Sequence, residues 1–148
     1  MKLARILDYN PTLDAYRVSF LTNRYVGPLT QRLTAEYGLV WQEWVIVFCL
    51  AQMADLTAKD ISDATGRPAN TISDAVGKLL RLKLVSRRRD ATDGRAMILA
   101  LTPKGRCLYE AMIPRLRESE ARIFGTLTKS ERRQLDRLLH KLVHGMRD

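Results

Sequence analysis

Two helical patterns broken by Thr65-Gly66-Arg67, with a strand pattern close behind, constrain this chain more than any other feature. Thr57-x-x-Asp60 has the spacing of a capping box, with Asp in place of the usual Glu or Gln. The short helix it opens is expected to turn Ile61 and Ala64 inward. Gly66 supplies a left-handed cap, and a longer helix starts near Pro68 to Asn70 and runs to about Leu82. Ile72, Ala75, Val76, Leu79 and Leu82 make its apolar face. Asn70, Thr71, Ser73, Asp74, Gly77, Lys78 and Arg81 make its polar front. A short helix, a glycine-bearing turn and a longer helix with a polar front read as a helix-turn-helix.

A ribbon comes next in the chain. Leu84 to Arg89 and Ala96 to Leu101 alternate as strands, and Asp93-Gly94 in the loop between them is a favoured hairpin pair. Arg87, Arg88, Arg89 and Arg95 make the ribbon strongly basic. The second helix of a helix-turn-helix fits the major groove of DNA and meets base edges with its N-terminal residues. Here those are Asn70, Thr71, Ser73 and Asp74, with Lys78 and Arg81 further along. An arginine near the tip of a ribbon reaches phosphates or the adjacent minor groove.

The rest of the chain is helical. Asn10-Pro11 reads as a helix start, and Leu21, Tyr25, Leu29 and Leu33 continue that helix to about residue 36, with a kink at Gly27-Pro28. Trp41 to Met53 is apolar nearly all round and is expected to be central. Thr102-Pro103 caps a helix carrying Leu108, Met112, Leu116 and Ile123, with a kink at Pro114. Thr128-x-x-Glu131 is a second capping box, opening a last helix with Leu135, Leu138, Leu139, Leu142, Val143 and Met146 on one face. The fold class is mainly α with a small β wing, in one domain over 1–148. The winged helix-turn-helix takes 38–102, and 11–36 and 103–147 are dimerisation helices. A winged module of half the chain cannot cover those apolar rows, and a second copy would.

Net charge agrees with this reading. Lys and Arg total 25 against 16 acidic residues, a formal charge of +9, which suits a polyanionic partner. No apolar run is long enough to span a membrane and no secretory leader is visible, so a cytoplasmic location is expected. Cys49 and Cys107 stand apart in helical patterns and read as buried, reduced thiols. His140 and His144 are four apart but have no Cys or carboxylate cluster beside them, so no metal site is read. No phosphate loop, triad or cofactor motif appears, and the chain is not expected to be an enzyme.

Asp93-Gly94-Arg95, five further residues and then Leu101-Thr102-x-x-Gly105 resemble the DxRxxxxxLTxxG signature of the multiple antibiotic resistance regulator (MarR) family. The resemblance covers nearly the whole chain. Trp44 stands where the family often has an aromatic residue, and Thr71-Ile72-Ser73 matches its usual Thr-Val-Thr/Ser. It implies a homodimeric winged helix-turn-helix on palindromic operators, usually a repressor released by a ligand or by oxidation. It also implies that Arg95 is the wing arginine and that Asp93, with Gly94, shapes the wing. A small aromatic or phenolic effector would lodge between the dimer helices and the winged module, near Tyr16, Phe20, Trp41 and Trp44. Two positions depart from the pattern. Asp74 stands where the family often has arginine, and Gly77 lies mid-helix at a cost of about 1 kcal/mol against alanine. Oxidation-sensing members carry a cysteine early in the first helix, where this chain has Tyr16, Ser19 and Phe20, so that route is not expected. The competing reading is a nonspecific architectural DNA- or RNA-binding protein that uses the same basic surface.

Overall fold

The computed structural model describes residues 2–146. Its elements are α1 (Lys2–Asp8), α2 (Leu13–Tyr37), α3 (Trp41–Gln52), α4 (Ala58–Thr65), α5 (Ala69–Arg81), β1 (Val85–Arg89), β2 (Met97–Leu101), α6 (Pro103–Phe124) and α7 (Lys129–His144). Arg147, the expected last residue of the final helix, lies outside the described residues. The chain divides into two compact units, one of residues 2–25 and 116–146 and one of residues 26–115.

The larger unit, 26–115, holds every buried apolar side chain among the described residues. Trp44, Ile46, Val47 and Leu50 of α3 sit at its centre with Ile61 of α4 and Ile72, Val76 and Leu79 of α5. The expected all-round apolar character of α3 is largely realised; Phe48 remains partly exposed. Of the two residues expected inward on α4, Ile61 is fully buried but Ala64 is exposed, so this eight-residue helix buries a single side chain. The strands β1 and β2 pair antiparallel, Val85 opposite Leu101 and Arg89 opposite Met97. Leu56 adds one bridge to Leu99 on the far side of β2. Thr57 and Asp60 form the expected capping box, with Thr57 Oγ1 accepting from the Asp60 amide at 3.1 Å. Gly66 ends α4 at φ +65°.

The wing is locked to the end of α5 by the Leu-Thr-x-x-Gly segment. Helix α5 closes with Lys83 in the left-handed region (φ +58°), and the Leu84 amide donates to the Leu79 carbonyl at 3.0 Å. That is a Schellman closure with a lysine at the position glycine usually takes. Thr102 Oγ1 donates to the Lys83 carbonyl at 2.7 Å and accepts from the Gly105 amide at 3.0 Å, capping α6. Lys104 Nζ donates to the Leu82 carbonyl at 3.0 Å. Gly105 is buried, and a Cβ added there would stand 2.1 Å from the Leu84 carbonyl oxygen. The glycine is required because α6 begins against that carbonyl.

The smaller unit is made of α1, the first half of α2, the last part of α6, and α7. Helix α1 was not expected; seven residues without a capping signal give too short a pattern to read. Asn10 Oδ1 accepts from the Thr12 amide at 2.9 Å, and this turn delays the start of α2 to Leu13 rather than Pro11. Helix α2 continues through Pro28 rather than ending there. The capping box opening α7 is present, Thr128 Oγ1 accepting from the Glu131 amide and Glu131 Oε2 accepting from the Thr128 amide at 2.7 Å. Leu138, Leu142, Val143 and Met146 stay between half and four-fifths exposed. Among the described residues, no helix is long and apolar enough to cross a membrane.

Candidate nucleic-acid interface

The front of α5 is presented outward because its back is anchored. Ile72, Ala75, Val76 and Leu79 are buried at helical spacing, which leaves Asn70, Ser73, Asp74 and Arg81 exposed on the opposite side and Thr71 half-buried. The turn entering α5 is held by Ser62 Oγ, which donates to the Arg67 carbonyl at 2.6 Å. The helix begins at Pro68, which supplies no side-chain cap, and Asn70 Oδ1 accepts from the Thr71 amide at 2.9 Å. A helix start favours an anion such as a phosphate.

Lys78 lies at the margin of the polar front, its side chain one-third exposed and its ammonium engaged by protein acceptors. It donates to the Gly38 carbonyl at 2.7 Å and pairs with Glu43 at 3.1 Å. Glu43 is only 6% exposed and also accepts from the Val40 amide at 2.7 Å, closing the first turn of α3. A buried carboxylate with these two donors holds the lysine inward.

On the wing, Arg87, Arg88 and Arg89 are exposed, opposite Leu99, Ile98 and Met97. Successive strand residues face opposite sides, so Arg87 and Arg89 share a face and Arg88 takes the other. Arg88 pairs with Asp55 at 3.0 Å across the surface. Asp55 itself adopts φ +61°, a conformation aspartate tolerates better than most residues. Among the described residues no ion pair engages Arg81, Arg87, Arg89 or Arg95.

The wing loop spans residues 90–96 between β1 and β2, with Asp93-Gly94 inside it, as expected. The Asp90 amide donates to the Ala96 carbonyl at 3.0 Å and closes the loop. Asp90 Oδ1 accepts from the Thr92 amide and hydroxyl, both at 2.8 Å, and these bonds hold its carboxyl below the usual carboxylate range. Asp93 accepts from two amides, Arg95 at Oδ1 (3.0 Å) and Ala96 at its carbonyl (2.9 Å). Asp93 thus fixes the backbone that carries Arg95. Gly94 is not among the left-handed residues, so its flexibility is not what closes the turn.

The aromatic residues expected around an effector fare differently. Trp44 is 1% exposed and stacks on Tyr109, ring centroids 6.1 Å apart and planes at 11°; it is core. Trp41 is half-buried in the same unit, while Tyr16 and Phe20 are partly exposed in the smaller one. A cavity of about 800 Å³ in the smaller unit is lined by residues including Leu21, Tyr25, Glu120, Phe124 and Leu139, and by none of those four. The two cysteines also depart from expectation. Cys107 is exposed and Cys49 only half-buried, with burial pushing the Cys49 thiol up. His140 and His144 pack ring to ring at 4.1 Å, and the described residues hold no cluster of three or more metal-ligating side chains. The sequence reading missed Glu43 altogether; a lone carboxylate in an otherwise apolar helix was its only signal.

The comparisons agree with this geometry. The MarR family model matches residues 37–96. The HTH-type transcriptional repressor Rv2887 of Mycobacterium tuberculosis is 27% identical over 105 residues, covering 71% of this chain and 76% of that one. The Staphylococcus aureus MepR–DNA complex superposes with a TM-score of 0.77 at 27% identity, over 90% of this chain and 97% of that one. A structure of Bordetella bronchiseptica BpsR, whose DNA binding is regulated by 6-hydroxynicotinic acid, gives a TM-score of 0.76 at 26% identity, over 87% and 91%. In its helix-turn-helix, its wing and its Leu-Thr-x-x-Gly clamp, the chain is similar to winged helix-turn-helix transcriptional regulators of the MarR family, whose family model matches residues 37–96.

Proposed function

We propose that this chain is a homodimeric repressor that binds palindromic double-stranded DNA in the cytoplasm and is released by a small aromatic or phenolic effector. One observation carries the reading. Asn70, Ser73, Asp74 and Arg81 are exposed along the front of α5, and the adjoining wing in the same compact unit carries Arg87, Arg89 and Arg95 free of ion pairs among the described residues. Small polar side chains at a helix start read base edges in the major groove, while unpaired arginines on a ribbon neutralise phosphates or enter the minor groove. Thr71 supports them from the edge of the front, and Asp74 accepts from a cytosine amino group rather than meeting a phosphate. Arg88, tied to Asp55, contributes charge more than contact.

The dimer is supported by what the smaller unit lacks. It has no buried apolar side chain of its own among the described residues, yet Leu138, Leu142 and Val143 are more than half exposed. A second copy covering those rows would make a closed twofold pair. Two reading helices would then sit roughly 34 Å apart, one turn of DNA. The effector is suggested by the BpsR relative, and a thermal-shift screen against small aromatic acids tests it. The DNA reading is tested by binding curves on a palindrome from the gene's own promoter and on a scrambled duplex across a salt series. A preference of about 10³ or more is expected. Equal affinities would leave a nonspecific architectural role in its place.

A further inference from the structure

We infer that Lys78, Glu43 and the Gly38 carbonyl form a clasp that sets the rotation of α5 about its own axis, making Lys78 a positioning residue for base reading rather than a phosphate contact. The inference rests on the DNA-binding reading above. It adds a residue through which α5 is aimed.

The geometry is specific. Lys78 lies four residues after Asp74, so both sit on one side of α5, at the margin of the polar front. From there Nζ reaches two acceptors on two other elements. One is the carbonyl of Gly38, at φ +64° just past the end of α2; the other is Oε2 of Glu43, in the first turn of α3. The negative end of the α2 dipole, beside that carbonyl, favours a cation. Glu43 is also fixed by the Val40 amide at 2.7 Å and cannot follow the lysine if α5 turns. Apolar contacts between α3 and α5 resist separation but are non-directional. A cation held between two fixed acceptors is directional, and a small rotation of α5 breaks both bonds at once. Since base contacts depend on bond geometry while phosphate attraction does not, loosening the clasp should erode sequence preference and spare general affinity.

The experiment compares Lys78→Gln, Lys78→Arg, Glu43→Gln and the Lys78→Gln/Glu43→Gln pair in the full chain. Without DNA, amide hydrogen exchange is followed along α5 and α7. Exchange in α5 is expected to quicken about tenfold in both single Gln variants, with α7 unchanged. With DNA, preference for the palindrome over a scrambled duplex is expected to fall about tenfold or more in both, with nonspecific affinity and its salt slope as in wild type. The double variant should be no worse than either single, and Lys78→Arg, which keeps charge and donors, should recover most of the preference. Glu43→Gln keeps the shape of the buried side chain and carries the test if Lys78→Gln folds poorly. A Lys78→Gln variant that weakens both duplexes equally and lowers the salt slope by about one, while Glu43→Gln binds normally, makes Lys78 a phosphate contact and overturns the clasp. Unchanged exchange in α5 overturns it as well. If wild type shows no preference for the palindrome, the regulator reading falls, and the exchange measurement alone decides the clasp.

Discussion

Replacing Gly105 by alanine should injure this protein more than any other single added methyl on a glycine of the larger unit. The new Cβ would lie 2.1 Å from the Leu84 carbonyl oxygen, where ordinary contact begins at 3.4 Å, so backbone must move by more than about 1 Å. That carbonyl is not free to move. It accepts from the Thr102 amide and the Thr102 hydroxyl, both at 3.1 Å, and lies one residue after the left-handed turn at Lys83. Overpacking of a tight site costs about 1–3 kcal/mol, and a lost or stretched hydrogen bond adds about 1 kcal/mol. The expected loss is about 2–4 kcal/mol. For a chain of this length that lowers Tm by about 10 °C. Urea unfolding should show a lower midpoint with an unchanged slope. Gly77→Ala is the matched control, because its Cβ would meet only Arg81 Nη1, at 3.6 Å, in the middle of α5. That variant should gain about 0.5–1 kcal/mol. A Gly105→Ala protein as stable as wild type, or a Gly77→Ala protein that loses as much, would refute the close-approach argument.

Further outcomes are expected from the same structure. Thr128→Ala should cost about 1 kcal/mol in thermal or urea unfolding, since it removes the side-chain acceptor at the start of α7. The amide and hydroxyl of Thr128 hold the Glu131 carboxyl below its ordinary 4.5, so its contribution is present above that value and lost as pH falls through the lowered one. Glu131→Gln should therefore be less stable at neutral pH and show a shallower acid limb; an identical limb would contradict the capping role. A thiol reagent should modify exposed Cys107 well before half-buried Cys49, and mass mapping that finds Cys49 first would contradict the packing of α3. Leu142→Asp, at a side chain 63% exposed, should leave the fold intact but shift sedimentation from dimer to monomer; an intact dimer would place the interface elsewhere.

Much of this architecture could be read from residues whose partners are close in sequence. The capping boxes at Thr57 and Thr128, the Gly66 cap, the polar and apolar faces of α5 and the strand pair are local, and each appears where its pattern put it. What was not legible depends on distant partners. Lys78 looked like one more cation on a polar face, because its acceptors lie 35 and 40 residues away. Gly105 could be recognised as part of a signature, but its reason is a carbonyl that reaches it only after the wing has folded back. The place of the wing loop was legible, but not the bonds from the Asp90 and Asp93 side chains to the backbone that shape it. Trp44 carried an aromatic signal that fits a core more often than a pocket, and it is buried in the core.

The central claim is that α5 reads bases and the wing grips backbone, so the two surfaces should fail in different ways. The direct measurement is selection of preferred sites from a random duplex pool, with salt-dependent affinities, for wild type, Asn70→Ala, Ser73→Ala and Arg95→Ala. The α5 variants should change which bases are selected, and Arg95→Ala should keep the same site with weaker binding and a salt slope lower by about one. Selection of an unaltered site by both α5 variants, together with an unaltered affinity in Arg95→Ala, would contradict the account.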